Sequence, residues 1–208
     1  MGSNEIYTIG REFGSLGKKV GQDLAKRLGI KFYDKELLQK AAKESGLCEE
    51  IFESHDEKPT NSFLYSLVMD TYTGGSYSTA PFLDMPLNHK VFLAQFDAIK
   101  KIAANESCVI VGRCADYILE DIPNHLNVFV YAPEEARLKN CVENLQMDPQ
   151  TAKKMMRDVD AVRNRYHKAY IPGWQSVFDH KDLMIDSSRF GIDGTAKILA
   201  DIVRNQWG

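Results

Sequence analysis

The stretch that decides the fold is IYTIGREFGSLGKKVGQDLAKRLG, Ile6 to Gly29. Its opening, Ile6 to Ile9, is rich in β-formers and predicts a short strand. Gly10, Gly14 and Gly17 then punctuate a loop. A helix follows, with Val20, Leu24, Ala25 and Leu28 recurring on one face. Strand, glycine loop and helix in that order form an arrangement that wraps a phosphate. Glycine lets the backbone turn tightly and brings its N–H groups close to an anion, and the helix N-terminus adds about half a positive charge.

The loop departs from the regular phosphate-binding spacing G-x-x-x-x-G-K-[ST]. Aligned on Gly17-Lys18, it has Glu12 in place of the first glycine and Lys19 in place of the hydroxyl residue that holds magnesium. Aligned on the flanking strand and helix, it has Gly17 at the lysine position, with Lys18 and Lys19 following. Both alignments leave Gly14-Ser15 and a lysine at the helix start. The backbone from Gly14 through Ser15 to Gly17, together with Lys18, is therefore expected to cradle a polyphosphate. Lys19 and Arg11 are the next candidates. The plainer alternative is a tight strand-to-helix turn.

Downstream, Ile30 to Tyr33 predicts a second strand ending at Asp34, which caps a helix carrying Leu37, Leu38, Ala41 and Ala42 on its inner face and closing at Gly46. A carboxylate at the C-terminal end of a parallel strand stands where open α/β sheets put ligand contacts; the alternative is a cap and nothing more. Glu49 to Met85 is the least regular part. It holds a polar bend (His55 to Ser62), an apolar run (Phe63 to Met69) and a loop rich in Thr, Gly, Ser and Pro. Adjacent residues rarely aim at one ion, so His55, Asp56 and Glu57 are not read as metal ligands, and no metal site is expected. Phe63, Tyr65, Tyr72, Tyr77 and Phe82 read as core or oligomer contact.

A long amphipathic helix is expected from Asn88 to Asn105, with Phe92, Phe96, Ile99 and Ala103 as its stripe. Val109 to Val111 is a fully apolar strand ending at Gly112-Arg113. Folding poorly explains an arginine directly after a buried strand, whereas its guanidinium suits a two-toothed grip on phosphate. A salt bridge across the top of the sheet is the alternative. Asn127 to Tyr131 is the next strand, followed by a helix starting at Ala132-Pro133-Glu134-Glu135; another helix begins at Asp148-Pro149. That helix carries Lys153, Lys154, Arg157, Arg163, Arg165 and Lys168. The run is either a solvated face or a lid that closes over phosphates. Leu183 to Ile185 is the last strand, and the C-terminal helix turns Ile198, Leu199, Ile202 and Val203 inward.

Five apolar strands alternating with helices imply an α/β fold, a parallel sheet with right-handed crossovers covered on both faces. The glycine loop, Asp34 and Arg113 all stand at strand C-terminal ends and should share one cleft. The 208 residues fit one domain, and a net charge of −3 argues against a general nucleic-acid or membrane-surface binder. Cys48, Cys108, Cys114 and Cys141 show neither metal spacing nor a secreted disulfide pattern. With no signal peptide and no apolar run near 18 residues, a cytoplasmic protein with free thiols is expected.

These residues resemble the cytidylate-kinase-like family of P-loop proteins, relatives of nucleoside monophosphate kinases. The resemblance runs from about Ile6 to Val203. It rests on Gly10 to Leu38, His55 to Leu67, Val109 to Leu119 and the pattern DVDAVRNRY…DLMIDSSRFGIDG. It implies a P-loop NTPase-type three-layer sandwich, an acceptor-holding insertion at about 47–87 and an arginine-bearing lid at about 148–172. It also implies ATP with Mg2+ as donor and a small-molecule nucleotide as acceptor, with a homodimer an open option. On that pattern Gly14 to Lys19 would bind the donor phosphates and Asp34 and Arg113 the acceptor. Lys18, Arg157, Arg163 and Arg165 would act on the transferred group. The chain departs from true cytidylate kinases at Lys19, at Cys114 (an aspartate there) and at Val111, often acidic there. Magnesium coordination and cytosine recognition are where those departures bear. The expected activity is phosphoryl transfer to a nucleoside monophosphate or similar acceptor. A nucleotide binder without turnover is the second reading, and an interaction protein using Phe63 to Phe82 the third.

Overall fold

The computed structural model describes residues 4–34, 37, 40 and 87–207. The insertion, the aromatics from Phe63 to Phe82, the His55 to Ser62 bend and most of the helix expected after Asp34 lie outside the described residues. In chain order the elements are β1 (Ile6–Arg11), α1 (Gly17–Leu28), β2 (Lys31–Tyr33), α2 (Leu87–Asn105), β3 (Cys108–Val111), α3 (Ala115–Ile118), β4 (His125–Tyr131), α4 (Glu134–Leu145), α5 (Pro149–Tyr170), β5 (Leu183–Asp186) and α6 (Ser187–Trp207).

The five strands form one sheet in the order β2-β3-β1-β4-β5. Every pairing is parallel, with β1 central: Ile6 lies opposite Cys108 on one side and His125 on the other. Strand side chains alternate between faces, so the sheet divides its apolar residues into two cores. One face presents Tyr7, Ile9, Val109, Val111, Val128 and Val130 to α1 and α6, which contribute Val20, Leu24, Ala25, Leu199, Ala200 and Val203. The other presents Ile6, Cys108 and Ile110 to α2, α3 and the end of α5, where Phe92, Phe96, Ile99, Tyr166 and Tyr170 pack. A fully buried side chain of this size contributes roughly 1.5–3 kcal/mol, so both helical layers are held firmly. The expected three-layer α/β sandwich is present. No described helix is long and apolar enough to cross a membrane.

α5 is fixed at both ends. At its start Asp148 accepts hydrogen bonds from the Gln150 and Thr151 N–H groups at 3.1 and 3.0 Å. The Thr151 side chain first, and then these backbone bonds, hold its carboxyl below the usual carboxylate range. Ala152 and Met156 then pack on Cys141 of α4, with Phe13 of the glycine loop against them. At its end Tyr170 stacks on Phe92 with ring centroids 4.0 Å apart. The helix therefore straps across the molecule from α4 to α2. Cys108, Cys114 and Cys141 are free and buried. Burial pushes the Cys108 thiol up to about 12, which keeps it from acting as a nucleophile.

Candidate active site

β1 delivers Arg11 to its C-terminal end, and the chain turns through Glu12 to Leu16 before entering α1. The turn is tied from within. The buried Ser15 hydroxyl donates to the Glu12 carbonyl at 2.9 Å and accepts from the Gly17 N–H at 3.4 Å. Ser187, opening α6, donates from its hydroxyl to the Ser15 carbonyl at 2.7 Å. Gly14 takes a left-handed φ of +82°, and a Cβ there would fall 2.9 Å from the carbonyl oxygen of Arg137 and 3.0 Å from the sulfur of Cys141. Both reasons require glycine. α1 then begins with no side-chain cap and no acid in its first turn. The positive end of its dipole thus favours an external anion.

Lys18 lies in that first turn. Its Nζ pairs with the Asp34 carboxylate at 2.7 Å, which joins two candidates 16 residues apart in sequence, one in α1 and one just after β2. Lys19 is exposed. The loop does not suit a direct magnesium ligand. Lys19 stands at the hydroxyl position in one alignment, and the Ser15 hydroxyl is committed within the turn. Among the described residues no group of three carboxylates, histidines or cysteines is placed to hold a metal ion.

α5 crosses directly over this loop. Asp160 accepts from the Phe13 N–H at 2.7 Å and from an Arg137 guanidinium N–H at 2.6 Å. Arg137 also lies 3.5 Å from the Glu12 carboxylate. Arg163, one turn further along α5, donates to the Arg11 carbonyl at 3.1 Å. Arg157 and Arg165 are exposed. Two residues advance a helix by about 200°, so Arg165 faces away from the side that carries Arg163.

Between the loop, the sheet and α5 lies a cavity of about 90 Å³. It has room for several waters at 10–15 Å³ each, or for a phosphate-sized group. Arg11, Arg163 and Lys181 line it, opposed by Glu12, Asp116 and Asp160. The Lys181 ammonium is paired with Asp116, donates to the Asp179 carbonyl at 3.0 Å and lies 5.5 Å from the centre of the Trp174 ring. Both members of the pair are almost fully buried.

Arg113 is buried too, and its backbone is unusual. Gly112, Arg113 and Cys114 have φ of +76°, +63° and +54°, three left-handed residues in succession. A non-glycine residue there costs roughly 1–2 kcal/mol, so the packing around this turn enforces it. Gly112 leaves the space in which the Arg11 guanidinium sits. Gly10 to Glu12 at the head of the loop and Gly112 thus share one cavity, which Gly14 to Lys19 do not line. Asp34 is joined to the loop through Lys18, and neither it nor Arg113 lines the cavity. Asp160, Arg137, Asp116 and Lys181 were not singled out by the sequence reading.

A family model described as the cytidylate kinase-like family matches residues 6–189. None of the curated proteins matches. A crystal structure of an uncharacterized protein from Eubacterium ventriosum is 27% identical with a TM-score of 0.70, covering 97% of this chain and 99% of that one. A shikimate kinase from Bacteroides thetaiotaomicron, 11% identical, has a TM-score of 0.55 over 96% of this chain and 98% of its own, a likeness of fold. The glycine loop at the head of α1, the β2-β3-β1-β4-β5 sheet and the family match over most of the sequence agree: the chain belongs to the cytidylate kinase-like family.

Proposed function

We propose that the protein is an ATP-dependent phosphotransferase that moves the γ-phosphoryl group to a nucleoside monophosphate or a similar small phosphorylated acceptor. The observation that carries this reading is the glycine loop at the uncapped start of α1, with Arg163 of α5 bound to the Arg11 carbonyl where the chain enters that loop. Phosphoryl transfer needs little covalent help from the protein. It needs the two substrates in line and neutralisation of the charge on the transferred group. The backbone of Gly14 to Gly17, with Ser15 bracing the turn and Arg11, Lys18 and Lys19 beside it, would hold the donor phosphates. Lys18 and Arg163 would supply positive charge to the transferred group, with Arg157 and Arg165 joining only after α5 moves. Magnesium enters only as part of the donor, ATP with its phosphate-bound ion.

Lys18→Ala is expected to weaken ATP binding about 10- to 100-fold, since a hydrogen bond to a charged group contributes roughly 1.5–3 kcal/mol. Calorimetric titration checks this, and unchanged affinity removes Lys18 from the donor site. Arg113 and Asp34 are assigned to the acceptor. The Arg113 guanidinium can bind two phosphate oxygens at once and lysine cannot. Arg113→Lys should therefore raise the acceptor KM about tenfold or more while ATP affinity holds. Equal losses for both substrates would detach Arg113 from the acceptor.

The deciding assay supplies ATP, magnesium and a panel of nucleoside monophosphates, and follows diphosphate products. A second reading, a nucleotide binder without turnover, draws on the occupied state of the loop: Lys18 is tied to Asp34, and Phe13 N–H to Asp160. ATP binding with no phosphorylated acceptor would favour it.

A further inference from the structure

The contact that the glycine loop makes with α5 is of an unexpected kind. A backbone N–H in the loop, that of Phe13, donates to a carboxylate from a helix 147 residues further along the chain. The second oxygen of that carboxylate takes the Arg137 guanidinium at 2.6 Å, and Arg163 Nη1 lies 3.5 Å from the first. One loop N–H and two guanidinium groups make up a donor set suited to two oxygens of a phosphate. Arg137 is held for this set by its surroundings. Its side chain is only 12% exposed, and its backbone packs against Gly14.

Asp160 also forms part of the cavity wall, beside Arg11, Glu12 and Arg163. It is therefore within reach of whatever enters the cavity. The wall charges are balanced, with Arg11, Arg163 and Lys181 against Glu12, Asp116 and Asp160. A polyanion entering a balanced site meets repulsion from the carboxylates at short range, where screening by water is weak. Of the three, Asp116 is locked to Lys181 and Glu12 is bound by the Ala132 N–H. Glu12 also lies 3.5 Å from Arg137, but of the three carboxylates only Asp160 binds a loop N–H together with a guanidinium, and a side-chain rotation suffices to withdraw it.

We infer that Asp160 is a placeholder for a donor phosphate: it keeps Arg137 and Arg163 aimed at the glycine loop and gives them up when a polyphosphate binds. This rests on the reading of the loop as a triphosphate site, and it makes Asp160 a positioning residue and Arg137 a phosphate ligand. The exchange lowers the affinity of the resting protein for nucleotide. It also keeps two largely covered arginines paired while the loop holds no phosphate.

The test titrates the whole protein, wild type and Asp160→Asn, with ATP, inorganic tripolyphosphate and adenosine by calorimetry. Asparagine preserves the shape and one accepting oxygen but removes the negative charge. Asp160→Asn should bind ATP and tripolyphosphate at least tenfold more tightly, with adenosine unchanged. Equal or weaker binding by the variant, with wild type binding normally, overturns the placeholder and leaves Asp160 a strut between α5 and the loop. No binding of either polyphosphate by either protein overturns the triphosphate site itself, and the placeholder with it. Should the variant not fold, the Phe13 amide resonance of the wild type decides. It must move on saturation with tripolyphosphate, since its acceptor changes; an unmoved resonance with binding established overturns the proposal.

Discussion

Lys181→Ala is expected to lower the unfolding free energy by about 3–5 kcal/mol, the cost of leaving one buried ion without its partner. The side chains of Lys181 and Asp116 are 3% and 8% exposed, so bulk solvent does little to stabilise the carboxylate left behind. The variant also loses the hydrogen bond to the Asp179 carbonyl and the approach to the Trp174 ring. For a chain of this length such a loss lowers Tm by about 6–20 °C. Removing both charges together has a different outcome. Lys181→Met with Asp116→Leu leaves no orphaned ion and should recover most of the lost stability, because a buried pair adds little over an apolar pair of similar volume. Denaturant unfolding of the two variants checks both statements. A single-variant loss below about 1 kcal/mol would mean that the pair is solvated.

Arg163→Ala is expected to lower kcat by about 10³, the low end of what an arginine on the transferred phosphoryl group contributes. Stability should fall by only about 1 kcal/mol, for the hydrogen bond to the Arg11 carbonyl. Arg165→Ala, on the far side of the same helix, should leave stability within about 0.5 kcal/mol and cost far less turnover. Steady-state rates at saturating ATP and acceptor, with melting curves for each variant, separate the two effects. If Arg165→Ala costs as much turnover as Arg163→Ala, the cavity side of α5 is not its working side, and the helix must move before transfer.

The elements were legible in the sequence because their signals are local. Asp148-Pro149 marks the start of α5 within a residue, and Pro133 with two acids does the same for α4. The β-formers of Ile6 to Ile9 and the apolar run Val109 to Val111 reveal β1 and β3. Sites built from residues far apart were not legible. Asp116 and Lys181 are 65 residues apart, and no spacing rule links a carboxylate on a four-residue helix to a lysine before a strand. The inward side of α5 was available in principle. Ala152, Met156, Tyr166 and Tyr170 define a buried stripe, and that phase turns Asp160 and Arg163 toward the loop and Arg165 away. Read as a run of charge, the segment concealed it. The left-handed turn at Gly112 to Cys114 left no trace, since arginine and cysteine carry no preference for that conformation.

The central place of β1 in the sheet has a consequence for how the chain folds. Ile6 has no strand beside it until Cys108 arrives, about a hundred residues later, and its other neighbour begins at His125. At roughly 5–20 residues per second, synthesis leaves β1 and the glycine loop unpartnered for about 5–20 s. Closing loops of that length before any pairing is gained makes the nucleation step slow. The middle strand is thus the first of the sheet's strands to be made and among the last to be enclosed, so chaperone contacts on the nascent domain should concentrate on Ile6 to Ile9.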